Sequence, residues 1–434
     1  MALDLSDKLG SFTEGAVVGT MARGIIGSEI LRIAADIRAL EASGTKTCNL
    51  TVGDFKTSEF PLPPVLSRGI ASALEAGETN YPPSDGVLAL RQSVRRLYQR
   101  KLGLAYPIES IVIAGGARPI IYGVYRSVID AGETVVYPVP SWNNNHYVHL
   151  VGARGVPVKT SADRGFMPTA EELAPHLADA RLVALCSPLN PTGTMMPAAQ
   201  LEAIAKGIVE ENRRRSARGA NPIILLYDQI YWELALREKH ATPVELVPEI
   251  AAYTVFVDGV SKEFAATGIR VGWGVGPPAI IARMRDVLGH VGAWAPKAEQ
   301  VACAKFLDDD AATRAALVEM RRRVDERLSA LYDGLTALGA RGLPVRAISP
   351  QGAIYLTVQF DLVGKGGITT NDQIRALLLD KAAFAVVPFQ AFGYPDESGW
   401  FRLSVGATNV REIQEALPRV EAAMRSVLYQ SFRK

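Results

Sequence analysis

The sequence predicts an α/β protein with a large domain built on a mostly parallel sheet and a smaller domain of the α+β type. Between residues 111 and 257, short apolar runs alternate with helical patterns, as in parallel strands joined by helices that cover both faces of a sheet. After Ala298 a long helical stretch is followed by short strands and a last helix, which is typical of α+β domains. The chain has 434 residues, more than one hydrophobic core usually supports, so two domains are expected.

We place the domain boundaries at these changes of pattern. Residues 1–60 are predicted to form an N-terminal arm and part of the small domain, residues 61–305 the large domain, and residues 306–434 the C-terminal part of the small domain. The arm begins polar and acquires helical periodicity at Gly27–Ile37, with Ser28 as the predicted N-cap.

The other elements follow from the period of the apolar residues and from glycine and proline punctuation. Strands are predicted at 49–55, 111–114, 134–137, 181–186, 223–227, 253–257, 268–274, 352–358, 384–387 and 400–405. Further helices are predicted at 65–76, 87–102, 119–129, after Trp142, and at 197–215, 298–338 and 410–428. The strands between 111 and 257 are the candidates for the central sheet.

Composition and charge narrow the class of protein. With 48% hydrophobic and 21% charged residues, the chain has the composition of an ordinary globular protein. Its formal charge of +2 gives no reason to expect nucleic acid or a membrane as a partner. Cys48, Cys186 and Cys303 lie too far apart for a disulfide framework or a zinc site, which fits a reducing compartment, so we expect a cytoplasmic protein.

Targeting segments and metal sites are not expected either. The first residues lack the apolar core of a signal peptide, and no apolar run has the length of a membrane span. His146 and His149 lie one helical turn apart, but no third ligand is evident.

The candidate functional residues share one place in the predicted sheet. Ligands of parallel sheets bind beyond the carboxyl ends of the strands. The residues that follow strand after strand at these ends are Gly116, Ala117, Arg118, Trp142, Asn190, Asp228 and Lys262. Their convergence predicts one ligand site at this edge of the sheet.

Lys262 and Arg270 indicate the kind of ligand. Lys262 follows Ser261 after the apolar run 253–257, and a lysine held away from bulk water can lose its proton and act as a nucleophile. Arg270 follows in a glycine-rich run, and its guanidinium can hold a phosphate with two hydrogen bonds. A nucleophilic lysine beside a phosphate-binding arginine predicts a Schiff-base site for pyridoxal phosphate.

Three of the other candidates have a structural and a functional interpretation. The stretch Ala114–Arg118 is either a tight turn or a phosphate cradle at the start of a helix. Trp142 is either a core residue or a ring that stacks on an aromatic cofactor. Asn190 begins the turn sequence Asn190–Gly193, which either only reverses the chain or aims the amide at a cofactor hydroxyl.

The same holds for the two charged candidates. Asp228 is either a helix N-cap or a carboxylate that keeps a pyridine nitrogen protonated, with Tyr231 near the ring's hydroxyl. Arg402 has apolar neighbours in a predicted strand, where an unpaired charge is costly. Its partner is either an acidic side chain or a bound carboxylate, which matches the guanidinium fork.

Taken in order, these residues resemble the class I/II aminotransferases, pyridoxal-phosphate enzymes of fold type I that include the aspartate aminotransferases. The matching pieces, spread over a resemblance from about Asn49 to Gly406, are Asn190-Pro191-Thr192-Gly193, Asp228-x-x-Tyr231, Ser261-Lys262 with Arg270, and Arg402. The resemblance implies transfer of an amino group between an L-amino acid and a 2-oxo acid such as 2-oxoglutarate, by a ping-pong Schiff-base mechanism. It also implies a homodimer with the active site at the subunit interface.

The resemblance further implies a role for each site residue. Lys262 forms the Schiff base and shuttles the proton, Asp228 pairs with the ring nitrogen, Asn190 and Tyr231 bind the ring oxygen, and Trp142 stacks on the ring. The residues implied to hold the phosphate are Gly116, Ala117, Ser261, Arg270 and, for the neighbouring subunit's phosphate, Tyr81. Arg118 is a further predicted cofactor-binding residue. The residues implied to bind the substrate are Gly53, Asn190 and Arg402, the last through the α-carboxylate.

The chain departs from the family in ways that bear on the amino donor. Ala117 stands where some dicarboxylate-using relatives have a lysine, and the segments Trp142–Tyr147 and Gly289–Lys297 are unusual. We expect aspartate or another acidic or polar donor. The cationic partners available for it are Arg23, Arg118, His290 and Lys297.

Two other interpretations remain. A lyase that carries out β- or γ-elimination would share Lys262, Asp228 and Arg402. A non-enzymatic regulatory relative would keep the fold, but no DNA-binding extension is visible and the catalytic set is complete.

Overall fold

The computed structural model describes residues 4–6, 9–10, 13–27, 29–42 and 44–431. Ser28, the predicted N-cap, lies outside the described residues. The strands are β1 Cys48–Asn49, β2 Ile111–Ala114, β3 Thr134–Val139, β4 Arg154–Lys159, β5 Ala180–Cys186, β6 Ile224–Asp228, β7 Thr254–Gly259, β8 Gly272–Val275, β9 Val345–Ala347, β10 Tyr355–Phe360, β11 Phe384–Ala385, β12 Val387–Pro388 and β13 Trp400–Ser404. The helices are α1 Glu14–Val17, α2 Thr20–Arg23, α3 Glu29–Ala42, α4 Pro64–Glu75, α5 Leu88–Leu102, α6 Ala117–Val128, α7 Asn144–Val151, α8 Ala170–Leu177, α9 Ala198–Ala217, α10 Pro243–Leu246, α11 Pro278–His290, α12 Lys297–Asp308, α13 Asp310–Ala340, α14 Asn371–Ala382 and α15 Val410–Ser431.

The central sheet has seven strands in the order β2-β8-β7-β6-β5-β3-β4. The five strands from β7 to β4 are parallel, and β8 is antiparallel to both of its neighbours. The mostly parallel α/β fold predicted from the sequence is therefore correct. Such a sheet brings the loops after β5, β6 and β7 to the same edge.

Helices cover both faces of this sheet, and the strand side chains alternate between two apolar cores. Leu225 belongs to a core that includes residues of α4, α5, α8, α9 and α12, whereas its neighbour Leu226 belongs to a second core that includes residues of α6, α7 and α11. Both leucines are buried. Because successive side chains of a strand point to opposite faces, burial on both faces explains why these strands are continuous apolar runs.

A smaller antiparallel sheet has the strand order β12-β13-β10-β9. It shares a separate hydrophobic core with α13, α14 and α15. The N-terminal β1 pairs in parallel with β11, joining Cys48 to Phe384 and Asn49 to Ala385. The N-terminal segment thus lies beside the C-terminal part of the chain. The boundaries at 60/61 and 305/306 stay a proposal.

Several predicted elements are corrected. The strand β4 was missed because it is an edge strand with charges and a proline, which interrupt an apolar pattern. The predicted helix 298–338 is two helices, since the Asp309 side chain accepts a hydrogen bond of 2.9 Å from the Ala312 amide and starts a new helix. In place of the predicted strand 49–55, the structure has only the two-residue strand β1, Cys48–Asn49. The strand predicted at 268–274 begins at Gly272, after a 3₁₀ turn.

The sequence analysis also did not predict α1, α2, α8, α10, α11, α14 and β9. Other differences concern strand ends. The predicted strand 352–358 begins at Tyr355, and the segment 384–387 contains two short strands rather than one. Among the described helices, none is both long enough and apolar enough to cross a membrane.

Candidate active site

A cavity of about 670 Å³ opens beyond the carboxyl ends of β5, β6 and β7. The small sheet and the N-terminal segment close its other side, with Tyr355 and Arg402 from the former and Val52–Asp54 from the latter. The predicted site residues that line it are Gly53, Ala117, Arg118, Trp142, Asn190, Asp228, Tyr231, Ser261, Lys262, Arg270 and Arg402. Gly116 borders the cavity through Arg270, as described below, whereas Tyr81 does not line it.

Lys262 is half-buried and faces the N-terminal segment across the cavity. Its Nζ donates a hydrogen bond of 2.5 Å to the Gly53 carbonyl and lies 6.0 Å from the ring centroids of Phe55 and Tyr231. Burial lowers the pKa of Lys262 to about 8, against the opposing effect of the Asp54 carboxylate. A neutral, nucleophilic amine is therefore accessible near physiological pH.

Asp228 is the last residue of β6 and faces the same cavity. Its Oδ1 accepts a hydrogen bond of 3.1 Å from the Ile230 amide. No described helix begins there, so the N-cap interpretation does not hold. Burial raises the pKa of Asp228 to about 6, although the bond from Ile230 and the charge of Lys262 oppose this. The carboxylate is thus mostly ionised at neutral pH.

Arg402 is a buried cation in β13, with 1% of its surface exposed. Its Nη2 donates to the Thr51 carbonyl at 2.5 Å and its Nη1 to Oδ1 of Asn190 at 3.3 Å. Nε has no hydrogen-bond partner, and no carboxylate of the described residues forms an ion pair with this guanidinium. The structural salt bridge is therefore not formed, and a bound carboxylate would supply the missing charge.

Gly116 and Arg270 meet at the start of α6. Arg270 donates hydrogen bonds of 2.7 Å to the Gly115 carbonyl and 2.8 Å to the Thr267 carbonyl. A Cβ atom on Gly116 would lie only 2.4 Å from Arg270 Nη2, and Gly116 has a φ of 97°. Arg270 itself has a φ of 58°, a conformation costly for a side-chain-bearing residue. The guanidinium is thus held against the first turn of the helix, where amides favour an anion.

Arg118 and Trp142 form one wall of the cavity. The guanidinium carbon of Arg118 lies 5.2 Å from the Trp142 ring centroid, a cation–π contact. Within the part of the chain that the structure describes, Arg118 forms no ion pair. Its donors are therefore open towards the cavity.

The other predicted cationic partners and Tyr81 lie elsewhere. Lys297 pairs with Glu78 at 2.8 Å, while Arg23 and His290 do not line the cavity. The Tyr81 ring is 80% exposed and contacts Trp294 with 5.0 Å between ring centroids.

Sequence reasoning missed Tyr355, Asp54 and Cys186, which line the cavity. Tyr355 shares a hydrogen bond with Tyr231, yet it lies in an ordinary strand of the small sheet and belongs to no motif. Asp54 accepts a hydrogen bond of 2.6 Å from the Thr267 hydroxyl. Among the described residues, no group of three or more histidine, cysteine or acidic side chains is arranged to hold a metal ion.

A lysine of lowered pKa, a half-buried carboxylate and an arginine at a helix start, joined on a mostly parallel sheet, define a pyridoxal-phosphate enzyme of fold type I. The chain belongs to the family described as aminotransferase class I and II, whose pattern matches residues 45–420. It is therefore a pyridoxal-phosphate-dependent aminotransferase, which favours amino-group transfer over the lyase and regulatory interpretations.

Individual relatives agree with this assignment. The chain is 29% identical to an aspartate aminotransferase of Bacillus sp. (strain YM-2), over 91% of this chain and 95% of the relative. It is 31% identical to an aspartate aminotransferase of Rhizobium meliloti (strain 1021), over 91% and 93% of the two chains. The structure of Thermus thermophilus aspartate aminotransferase with maleate superposes with a TM-score of 0.84 and 26% identity, covering 94% of this chain and 99% of that one.

The residues present fit pyridoxal phosphate. The contact between Gly116 and Arg270 leaves room for no side chain at residue 116 and offers a guanidinium and helix amides to a phosphate. The Lys262 amine and the Asp228 carboxylate line the same cavity, so an aldehyde and a ring nitrogen have partners of suitable chemistry.

Proposed function

We propose that this aminotransferase transfers the amino group of aspartate or another acidic or polar L-amino acid to a 2-oxo acid such as 2-oxoglutarate, as a homodimer in the cytoplasm. The observation that carries the proposal is the meeting of Lys262 and Asp228 with three arginines, Arg118, Arg270 and Arg402, at a single cavity. None of these three arginines makes an ion pair among the described residues, which leaves guanidinium groups for the cofactor's phosphate and for a substrate with two carboxylates.

When bound, pyridoxal phosphate supplies an aldehyde that captures amines and a ring that withdraws electrons from the substrate's α-carbon. Lys262, once neutral, would bind the aldehyde and would later move a proton between the substrate's α-carbon and the cofactor. Asp228, ionised at neutral pH, holds a proton on the ring nitrogen. Tyr231 and Asn190 hydrogen-bond the ring oxygen, and Trp142 covers the ring face.

The phosphate and the substrate have separate binding groups. Arg270, with Gly116, Ala117, Arg118 and Ser261, is proposed to hold the phosphate. Arg402 is proposed to hold the substrate's α-carboxylate beside Gly53, because its buried Nε is otherwise unpaired. Asn190 orients Arg402 through the bond to Nη1.

The position of Arg118 supports the proposal that the amino donor is acidic. It lies in the cavity with open donors and has the fork geometry that binds a carboxylate, so it can serve a second carboxylate as well as the phosphate. Relatives named aspartate aminotransferase agree with this, and the Thermus thermophilus relative carries maleate, a dicarboxylate, in its structure.

A second subunit would account for several exposed apolar side chains. Tyr81 and Val291 are 80% and 60% exposed, and Met21 and Ile26 of the N-terminal segment are 50% and 72% exposed. Exposed apolar patches of this kind usually mark protein–protein contacts, and Tyr81 is proposed to reach the neighbouring subunit's phosphate. The proposed location in the cytoplasm is consistent with the free thiols of Cys48, Cys186 and Cys303, because thiols stay reduced in that compartment.

The test is a spectrophotometric assay on the purified enzyme with a panel of amino acids. Aspartate is expected to bleach the visible band of the bound cofactor, and 2-oxoglutarate is expected to restore it. A protein that binds no such cofactor would contradict the proposal, and release of pyruvate or ammonia without amino transfer would replace it with a lyase. Sedimentation analysis would reject the homodimer if the holoenzyme were a monomer.

A further inference from the structure

A second pocket, of about 240 Å³, lies between α5, the first turns of α13 and the 3₁₀ turn Trp232–Leu234. Its charged lining residues are Arg100, Lys101, Arg314, Arg321, Glu233 and Asp310. Four cations thus face two carboxylates, an excess of two positive formal charges. None of these residues lines the active-site cavity.

The two carboxylates do not satisfy the four cations. Arg100 pairs with Asp310 at 2.9 Å, and Glu233 is shared by Lys101 and Arg321, the latter at 3.2 Å. Arg314 forms no ion pair with any residue that the structure describes. Since each guanidinium carries five N–H donors, most donors around the pocket remain available to a ligand.

The chemistry of the lining selects a phosphate group. A phosphate monoester carries about −1.5 to −2 charges at neutral pH, which matches the excess of two. Guanidinium groups bind phosphate oxygens in bidentate fashion, and Leu317 and Val318 add an apolar wall. The pocket is smaller than the roughly 300–1,000 Å³ of typical drug-sized ligand sites. We propose that it binds a small phosphate-bearing anion that acts as an effector of the enzyme.

Glu233 connects this pocket to the catalytic lysine. It is 6% exposed and lies in the same 3₁₀ turn as Trp232, whose Nε1 donates a hydrogen bond of 3.0 Å to the buried Asp258, four residues before Lys262. Burial, and then the charges of Asp258 and Glu233, raise the pKa of Glu263, the residue after Lys262. A phosphate that draws Lys101 and Arg321 away from Glu233 therefore alters the electrostatics of the segment that carries Lys262. This link rests on the role proposed for Lys262.

Calorimetric titration of the holoenzyme with inorganic phosphate tests the site, because the bound cofactor already fills the cradle at Arg270. Arg314→Gln is expected to weaken binding about tenfold, as for the loss of a charge-assisted hydrogen bond. Asp310→Asn is expected to tighten it about threefold, since it removes a competing carboxylate. Arg322→Gln, on the same helix but paired with Glu319 and Glu326, removes the same charge and should change nothing.

Three results would overturn the site. They are an absence of saturable binding, equal weakening by Arg314→Gln and Arg322→Gln, and loss of binding in Arg118→Gln, which would locate the phosphate in the active-site cavity. Each is measured without substrate, so it is independent of whether the enzyme uses acidic donors.

Initial rates with and without saturating phosphate test the link. We expect kcat/KM to change at least about threefold in the unmodified enzyme, a coupling of ordinary size, and the half-maximal phosphate concentration for this change to be about tenfold higher in Arg314→Gln. An unchanged half-maximal concentration in Arg314→Gln would place the effect at the active site and would refute the link, as would binding with no change in rate. An enzyme inactive with every donor would contradict the proposed function but leave the binding result intact.

Discussion

The hydroxyl groups of Tyr231 and Tyr355 lie 2.6 Å apart and share a hydrogen bond across the two sheets of the molecule. Tyr231 follows β6 of the large sheet, whereas Tyr355 begins β10 of the small one. Both side chains are buried. One residue of the small sheet thus fixes a ring that is proposed to contact the cofactor.

Tyr355→Phe tests this relationship. The change removes one hydroxyl and little volume, so the fold should persist while Tyr231 loses its partner. We expect kcat to fall about fivefold, as for one neutral hydrogen bond, with the position of the cofactor's visible band shifted. Tyr394→Phe, which alters another aromatic residue of the fold, is the control, and equal effects of both changes would remove Tyr355 from the site.

The pKa of Lys262 makes a prediction about pH. Capture of pyridoxal phosphate by the protein without cofactor requires the neutral amine, so its rate should rise with pH to a midpoint of about 8 rather than near the ordinary 10.5. Stopped-flow absorbance at a series of pH values measures this. Lys262→Ala should bind the cofactor without the visible band and lose turnover, whereas Lys206→Ala, an exposed lysine, should resemble the unmodified enzyme.

Ionisation of Asp228 should make the stability of the folded protein depend on pH. Its pKa is about 6 in the folded protein and 3.8 as its ordinary value, so the folded state favours the protonated acid. That stabilisation is fully present below pH 3.8 and is lost as pH rises through about 6. In the protein without cofactor, the melting temperature of Asp228→Asn minus that of the unmodified protein should therefore increase from pH 4 to pH 7. A difference that stays constant over this range would contradict the assignment.

With cofactor bound, the same Asp228→Asn change should cost turnover. An amide cannot hold a proton on the ring nitrogen, so kcat should fall about 100-fold or more, the cost of removing one transition-state partner. The cofactor should stay bound, as absorbance after gel filtration will show. Unchanged turnover would exclude Asp228 from the mechanism.

Arg402→Lys separates charge from fork geometry. The lysine keeps one positive charge but cannot bind a carboxylate with two parallel bonds, so KM should rise about tenfold or more for every amino donor, acidic or neutral. Steady-state kinetics with aspartate and alanine measure this. A rise confined to acidic donors would assign Arg402 to the side-chain carboxylate instead.

Arg118→Gln, unlike Arg402→Lys, should change the preference of the enzyme among amino donors. If Arg118 binds a second carboxylate, kcat/KM should fall about tenfold or more for acidic donors and little for neutral ones. If it binds mainly the phosphate, cofactor affinity should fall and all donors should suffer alike. Arg126→Gln, on the same helix and exposed, controls for the loss of charge.

The central sheet was predictable because its strands are buried on both faces and are therefore uninterrupted apolar runs, as in β6. The edge strand β4 was not, because its exposed residues carry no such constraint. Motif residues at the strand ends, such as Asp228 and Lys262, converge by topology. The role of Tyr355 could not be predicted from the sequence, because its contact with Tyr231 depends on how the small sheet packs against the large one. No local sequence pattern encodes that packing.

The pairing of β1 with β11 places a strand near residue 48 beside one near residue 384. During synthesis, the early strand has no partner until about 340 further residues have left the ribosome, and Gly53 and Arg402 cannot share a cavity before then. Assembly of a working enzyme is thus tied to completion of almost the whole chain, and a nascent polypeptide arrested in its large domain would be catalytically silent.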